Sequence, residues 1–90
     1  MHPNIGTDAM NLGVRLLDLG NKQEAAPPLH RALRIFVRHS KHSDHVHPHL
    51  KAAVHNYGGL LIKMGETKSQ VDEKTEKLLA PIAHLLPARL

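Results

Sequence analysis

Slid against itself by 45 residues, the chain repeats: HPNIGTDAMNLGVRLLDLG, which starts at His2, falls on HPHLKAAVHNYGGLLIKMG, which starts at His47. His2, Pro3, Asn11, Gly13, Leu16 and Gly20 meet His47, Pro48, Asn56, Gly58, Leu61 and Gly65. Conservative matches join them, Ile5 with Leu50, Leu17 with Ile62 and Leu19 with Met64. In a chain of 90 residues nothing constrains the fold more. Each copy must form one supersecondary unit, and the units must stack to bury their apolar faces.

Each copy reads as a helical hairpin. Ile5, Ala9, Leu12, Leu16 and Leu19 recur at helical spacing, which predicts one apolar stripe. Gly20 stands where a left-handed residue closes a helix. Asn21 with Glu24 three residues on predicts a capping box for the next helix. Ala25, Leu29, Ala32, Leu33 and Phe36 give that helix its apolar face, and Pro27 and Pro28 are expected to bend it just past its first turn. In the second copy Leu50, Val54, Tyr57, Leu61 and Met64 form the first stripe and Gly65 ends it. The cap signal Thr67 with Gln70 arrives one residue later than the repeat requires, and Val71, Leu78, Leu79 and Ile82 carry the last apolar face. The expectation is an all-α chain with helices near 6–19, 22–39, 48–64 and 68–80 and a helical continuation to 86 beyond Pro81. Repeat 1 then covers about 2–39, a histidine-rich linker 40–47, repeat 2 about 48–80, and an apolar tail 81–90. With only Phe36 and Tyr57 as aromatics, the core has to be aliphatic.

Small residues recur where helices must approach closely, Gly13 against Ala25 and Ala32. Together with Leu12, Leu16, Gly20 and Leu29 this resembles the tetratricopeptide repeat. The stretch from His2 to Phe36 is similar to its long variant, found in kinesin light chains and many bacterial repeat proteins, through His2-Pro3, Asn11-Leu12-Gly13, Gly20, Glu24-Ala25, Pro27 and Arg31-Ala32-Leu33. The likeness covers 2–36 well and 47–65 fairly, and it speaks more to fold than to function. The last helix departs from it, with Gln70, Lys74 and Lys77 where apolar residues belong. The resemblance implies a right-handed α–α superhelix fragment, part of a longer array, since Met1 directly precedes the first His-Pro as at a cut repeat boundary. It also implies a non-catalytic scaffold whose first helices line a concave face for a protein or peptide. Carried over by position, Asn11 and Asn56 are the ligand contacts, with Met10, Val14, Arg15, His55, Gly59, Ile62 and Lys63 nearby. The plainer reading has the asparagines bonding within their hairpins, Met10 and Val14 in the core, and Gly13 and Gly58 as packing residues.

HSKHSDHVHPH, residues 39–49, holds five of the nine histidines. His47-Pro48 belongs to the repeat; His39, His42, Asp44, His45 and His49 do not. A metal needs neutral imidazoles converging from an oriented frame. No spacing here places ligands on two rigid elements, so no metal site is expected, and His42, His45 and His49 would bind only weakly from a solvated loop. Arg31, Arg34 and Arg38 share a helix face, an alternative phosphate-binding stripe for nucleic acid. It lacks stacking aromatics, so nucleic acid is not the expected partner. No serine elbow, phosphate loop or carboxylate pair points to an enzyme, and no cofactor is implied. The absence of cysteine excludes disulfides and thiolate sites and fits the cytoplasm. No apolar run suits a signal peptide or a membrane span. A net charge of +4 favours encounter with acidic partners. The apolar residues Ile82, Leu85, Leu86 and Leu90 either fold back as a cap or dock on another chain, and the expectation favours a homo-oligomer.

Overall fold

The computed structural model describes residues 5–86. The described residues form four α-helices, α1 Ile5–Asp18, α2 Lys22–Ser43, α3 Leu50–Lys63 and α4 Lys68–Leu79, followed by a 3₁₀ segment, Ala80–Leu85. No strand occurs among them, so the chain is all-α. The 22-residue α2 is the spine. It packs on α1, α3, α4 and the 3₁₀ segment, while α1 and α3 touch each other only lightly.

The two glycines in register close their helices by the same device. Gly20 has φ +83 and Gly65 φ +96, the left-handed region in which a Cβ is unfavourable. At the first, the Asn21 amide donates to Leu16 O at 2.8 Å and Gly20 to Leu17 O at 3.0 Å. At the second, Glu66 donates to Leu61 O and Gly65 to Ile62 O, both at 3.0 Å. This double bond pattern is the Schellman motif, which satisfies carbonyls that the helix end would orphan. The Thr67–Gln70 capping box is complete: Gln70 N donates to Thr67 Oγ1 at 3.1 Å and Thr67 N to Gln70 Oε1 at 2.9 Å.

The cap expected at Asn21 does not form. Its side chain makes no capping bond, and its backbone, at φ −88 and ψ 67, is not extended as a capping residue requires. Asn21 is already the final residue of the preceding Schellman turn, and that role fixes its conformation. Pro27 and Pro28 lie inside α2 without ending it.

The α1 stripe read from the sequence is also corrected. Leu12 is 52% exposed and Leu19 75% exposed, and the buried residues of α1 are Gly6 and Gly13. A Cβ on Gly13 would lie 2.5 Å from Leu29 Cγ and Cδ2, and one on Gly6 2.6 Å from Phe36 Cε1. The atoms nearest Gly13 are those of Leu29, which lies between Ala25 and Ala32 on the same ridge. Backbone against side chain brings α1 tight onto α2. At about 100° per residue, the line Ile5–Ala9–Leu12–Leu16 then lies about a quarter-turn away from the buried glycines.

The core runs through Leu29, Leu33 and Phe36 of α2, Leu50, Ala53, Tyr57 and Leu60 of α3, Val71 of α4 and Ile82. The aliphatic expectation holds, with both aromatics inside. The α3–α4 hairpin is looser. In α4 only Val71 and Thr75 are buried, and a Cβ on Gly58 would come to 3.3 Å of Val71 Cγ1. Lys74, which breaks the repeat pattern, pairs instead with Glu66 at 2.7 Å. α4 stops before Pro81, and Ile82 leaves helical geometry at φ −123 and ψ 20 to bury itself fully. Leu85 and Leu86 pack partly on the core. Through Leu86 the tail therefore folds back on its own chain; Leu90 lies outside the described residues.

Candidate binding face

α1 and α3 are the first helices of the two hairpins and touch each other lightly. On α1, Asn11 and Arg15 are exposed, whereas Met10 and Val14 are half-buried and pack against the core. On α3, His55, Gly59, Ile62 and Lys63 are exposed and Asn56 is half-buried. The side-chain hydrogen bonds among the described residues include none made by Asn11 or Asn56. An amide offers two donors and an acceptor, the set that matches an extended peptide backbone. Lys63 sits at the end of this face. Its carbonyl accepts from Lys22 Nζ at 3.4 Å, and together with Met64 it borders a shallow depression formed by Gly20–Glu24 of the first turn. Arg15 of α1, Lys22 at the start of α2 and Lys63 at the end of α3 are exposed cations, and Asp18 and Glu24 are exposed acids.

The histidine-rich stretch divides into parts with different fates. α2 runs on through Ser43, so the link between hairpins is 44–49 rather than 40–47. Asp44 ends the helix with φ 60. Ser40 is fully buried. Its hydroxyl donates to Phe36 O at 2.8 Å and accepts from His47 N at 2.8 Å, which ties the link to the helix. The His47 ring stacks on Phe36 at 4.5 Å, with His39 edge-on at 4.8 Å and His49 at 5.4 Å. The His49 amide donates to His47 Nδ1 at 3.0 Å. Burial first, then the neighbouring His39 and His49, push the His47 pKa below its ordinary value. His42, His45 and His49 are exposed. Among the described residues no three His, Cys, Asp or Glu side chains converge on a metal position. Sequence reading missed the packing role of His47; the signal was its exact repeat partner His2, which marked the position as structural.

Arg31, Arg34 and Arg38 are all exposed on α2. Phe36 is 1% and Tyr57 8% exposed, so neither gives nucleic acid a stacking surface. His30 sits edge-on to Tyr57 at 5.5 Å, and burial, followed by Arg34, lowers its pKa. Among the described residues no helix is long and apolar enough to cross a membrane. No family model matches the chain, and no curated protein or solved structure is significantly similar to it.

Proposed function

We propose that the chain is a non-catalytic scaffold of the tetratricopeptide kind, which holds an extended segment of a protein or peptide on the face shared by α1 and α3. The observation that carries this reading is the pair Asn11 and Asn56. They stand 45 residues apart at matching positions of neighbouring helices, and both amides are left without an intramolecular partner among the described residues. The paired Schellman closures at Gly20 and Gly65 support the repeat reading. The cations Arg15, Lys22 and Lys63 favour a ligand with acidic side chains.

The test is a selection of displayed peptides on the full chain, followed by binding measurements with the selected peptides. Asn11→Ala and Asn56→Ala should each weaken binding by about 0.5–1.5 kcal/mol, roughly two- to tenfold in Kd, with thermal stability changed by less than about 1 kcal/mol. Selected acidic peptides that bind both variants as tightly as the parent would remove these residues from the binding face.

A further inference from the structure

The two hairpins are not equally covered. α3 buries two sides. Leu50, Ala53, Tyr57 and Leu61 form a buried line, with Tyr57 turned to His30 of α2, and Gly58 faces Val71 of α4. In α1 only Gly6 and Gly13 are fully buried, against α2, while Ala9, Met10, Val14, Leu16 and Leu17 pack half-buried on the core. The positions 45 residues before the buried line of α3 are Ile5, Asp8, Leu12 and Leu16. Ile5 and Leu16 are half-buried, and Asp8 and Leu12 are exposed: Leu12 is 52% exposed where Tyr57 is 8% exposed. Ile5, Ala9 and Leu12 with Pro27, Pro28 and Arg31 line an apolar groove between α1 and α2, which also holds Asp8. The groove is thus the uncovered counterpart of a surface that the same chain covers in its second half.

We propose that this groove binds a second copy of the chain, face to face across a two-fold axis. Among the described residues, α4 does not match it for head-to-tail stacking. The outward residues of α4 are Asp72, Glu73, Lys74, Glu76 and Lys77, all exposed and charged, and they offer no apolar surface to receive the groove. The tail described above is folded onto its own chain at Ile82. The groove itself is self-complementary: it carries one acid on the α1 wall and one base on the α2 wall. Among the described residues neither Asp8 nor Arg31 pairs with another charge. A two-fold axis sets each Asp8 against the Arg31 of the other copy and covers the apolar strip between them, as an isologous interface requires.

Light scattering on the full chain reads this directly. At millimolar concentration the parent should show twice the 10.0 kDa chain mass. Leu12→Glu should give the monomer mass with an unchanged helical spectrum, since that side chain is half exposed within the chain. Asp8→Arg and Arg31→Asp should each raise the dissociation constant about tenfold or more, because each places like charges together twice. The double variant Asp8→Arg with Arg31→Asp should recover the parent value, which a merely structural role for either residue would not produce. A parent that stays at 10.0 kDa, or a dimer that survives Leu12→Glu, overturns the proposal. A dimer lost only on removing residues 82–86 also overturns it in favour of the tail, and singles that weaken without rescue overturn the two-fold arrangement.

Discussion

Substituting alanine at three helical glycines tests the account of how α1 is seated. At Gly13 a methyl group would lie 2.5 Å from Leu29 Cγ and Cδ2 and 3.2 Å from its backbone nitrogen. Leu29 is 1% exposed and hemmed in by the core, so neither it nor its backbone has room to retreat, and α1 must shift outward. Overpacking of this kind costs about 1–3 kcal/mol, and a clash with fixed atoms belongs in the upper part of that range. Alanine returns about 1 kcal/mol through its better helix propensity. The net expectation for Gly13→Ala is a loss of about 1–2 kcal/mol, which lowers Tm by about 5–10 °C in a domain of this size. At Gly59 nothing lies within 4 Å of the added methyl, so Gly59→Ala should gain about 0.5–1 kcal/mol. Gly58→Ala, whose methyl would overlap Val71 Cγ1 by only a few tenths of an ångström at 3.3 Å, should stay close to neutral. Urea denaturation followed by circular dichroism, at one fixed chain concentration, ranks the three. A Gly13→Ala variant as stable as the parent, or a Gly59→Ala variant that loses as much as Gly13→Ala, would refute the close seating of α1 on α2.

Two further outcomes follow from the clasp between α2 and the interhairpin link. Ser40→Ala should lose about 1–3 kcal/mol in the same urea assay, because the half-buried His47 amide is left without its acceptor; an unchanged midpoint would show that water replaces the hydroxyl. The pH dependence has a definite sign: burial, then His39 and His49, hold the folded-state pKa of His47 below 6.5, and burial, then Arg34, do the same for His30. The unfolded chain then takes up these protons first, so the stabilisation is whole above 6.5 and is lost as pH falls below it toward the folded values. Tm measured on acidification should decline, and His47→Gln should decline less; a Tm that rises below 6.5 would contradict the packing assigned to His47.

The elements that sequence reading located best were those in which one residue type does one thing. Gly20 and Gly65 are needed for a left-handed turn whatever surrounds them, and Thr67 with Gln70 forms its cap from neighbours alone. The apolar face of α2 was legible because that helix is covered along its length. The failures share another cause, competition between tertiary partners. Asn21 carries the signature of a cap, but the turn before it had already fixed its backbone. Residues 40–43 look like a loop because they are polar, yet the buried hydroxyl of Ser40 serves both the helix and the link. The α1 stripe was read as a single core face, whereas two glycines take that place and turn the aliphatic residues sideways. Of the candidate binding face, the positions of Asn11 and Asn56 were legible from the repeat. Their lack of intramolecular partners was not, since it depends on what each hairpin leaves uncovered.

The unequal packing of the two hairpins also sets the order in which the molecule opens. α1 is locked to α2 through its glycines, while α4 contributes little more than Val71 and Thr75 to the core. Local opening draws on the segments that bury the least, so α4 forms the cheapest unit to release. Val71, Thr75 and the Lys74–Glu66 pair hold it from within, and the burial of Ile82 holds the chain just beyond its end. Its amides should exchange with solvent together, as one cooperative unit, ahead of those of α2, and the Gly58 notch of α3 is uncovered each time it lifts.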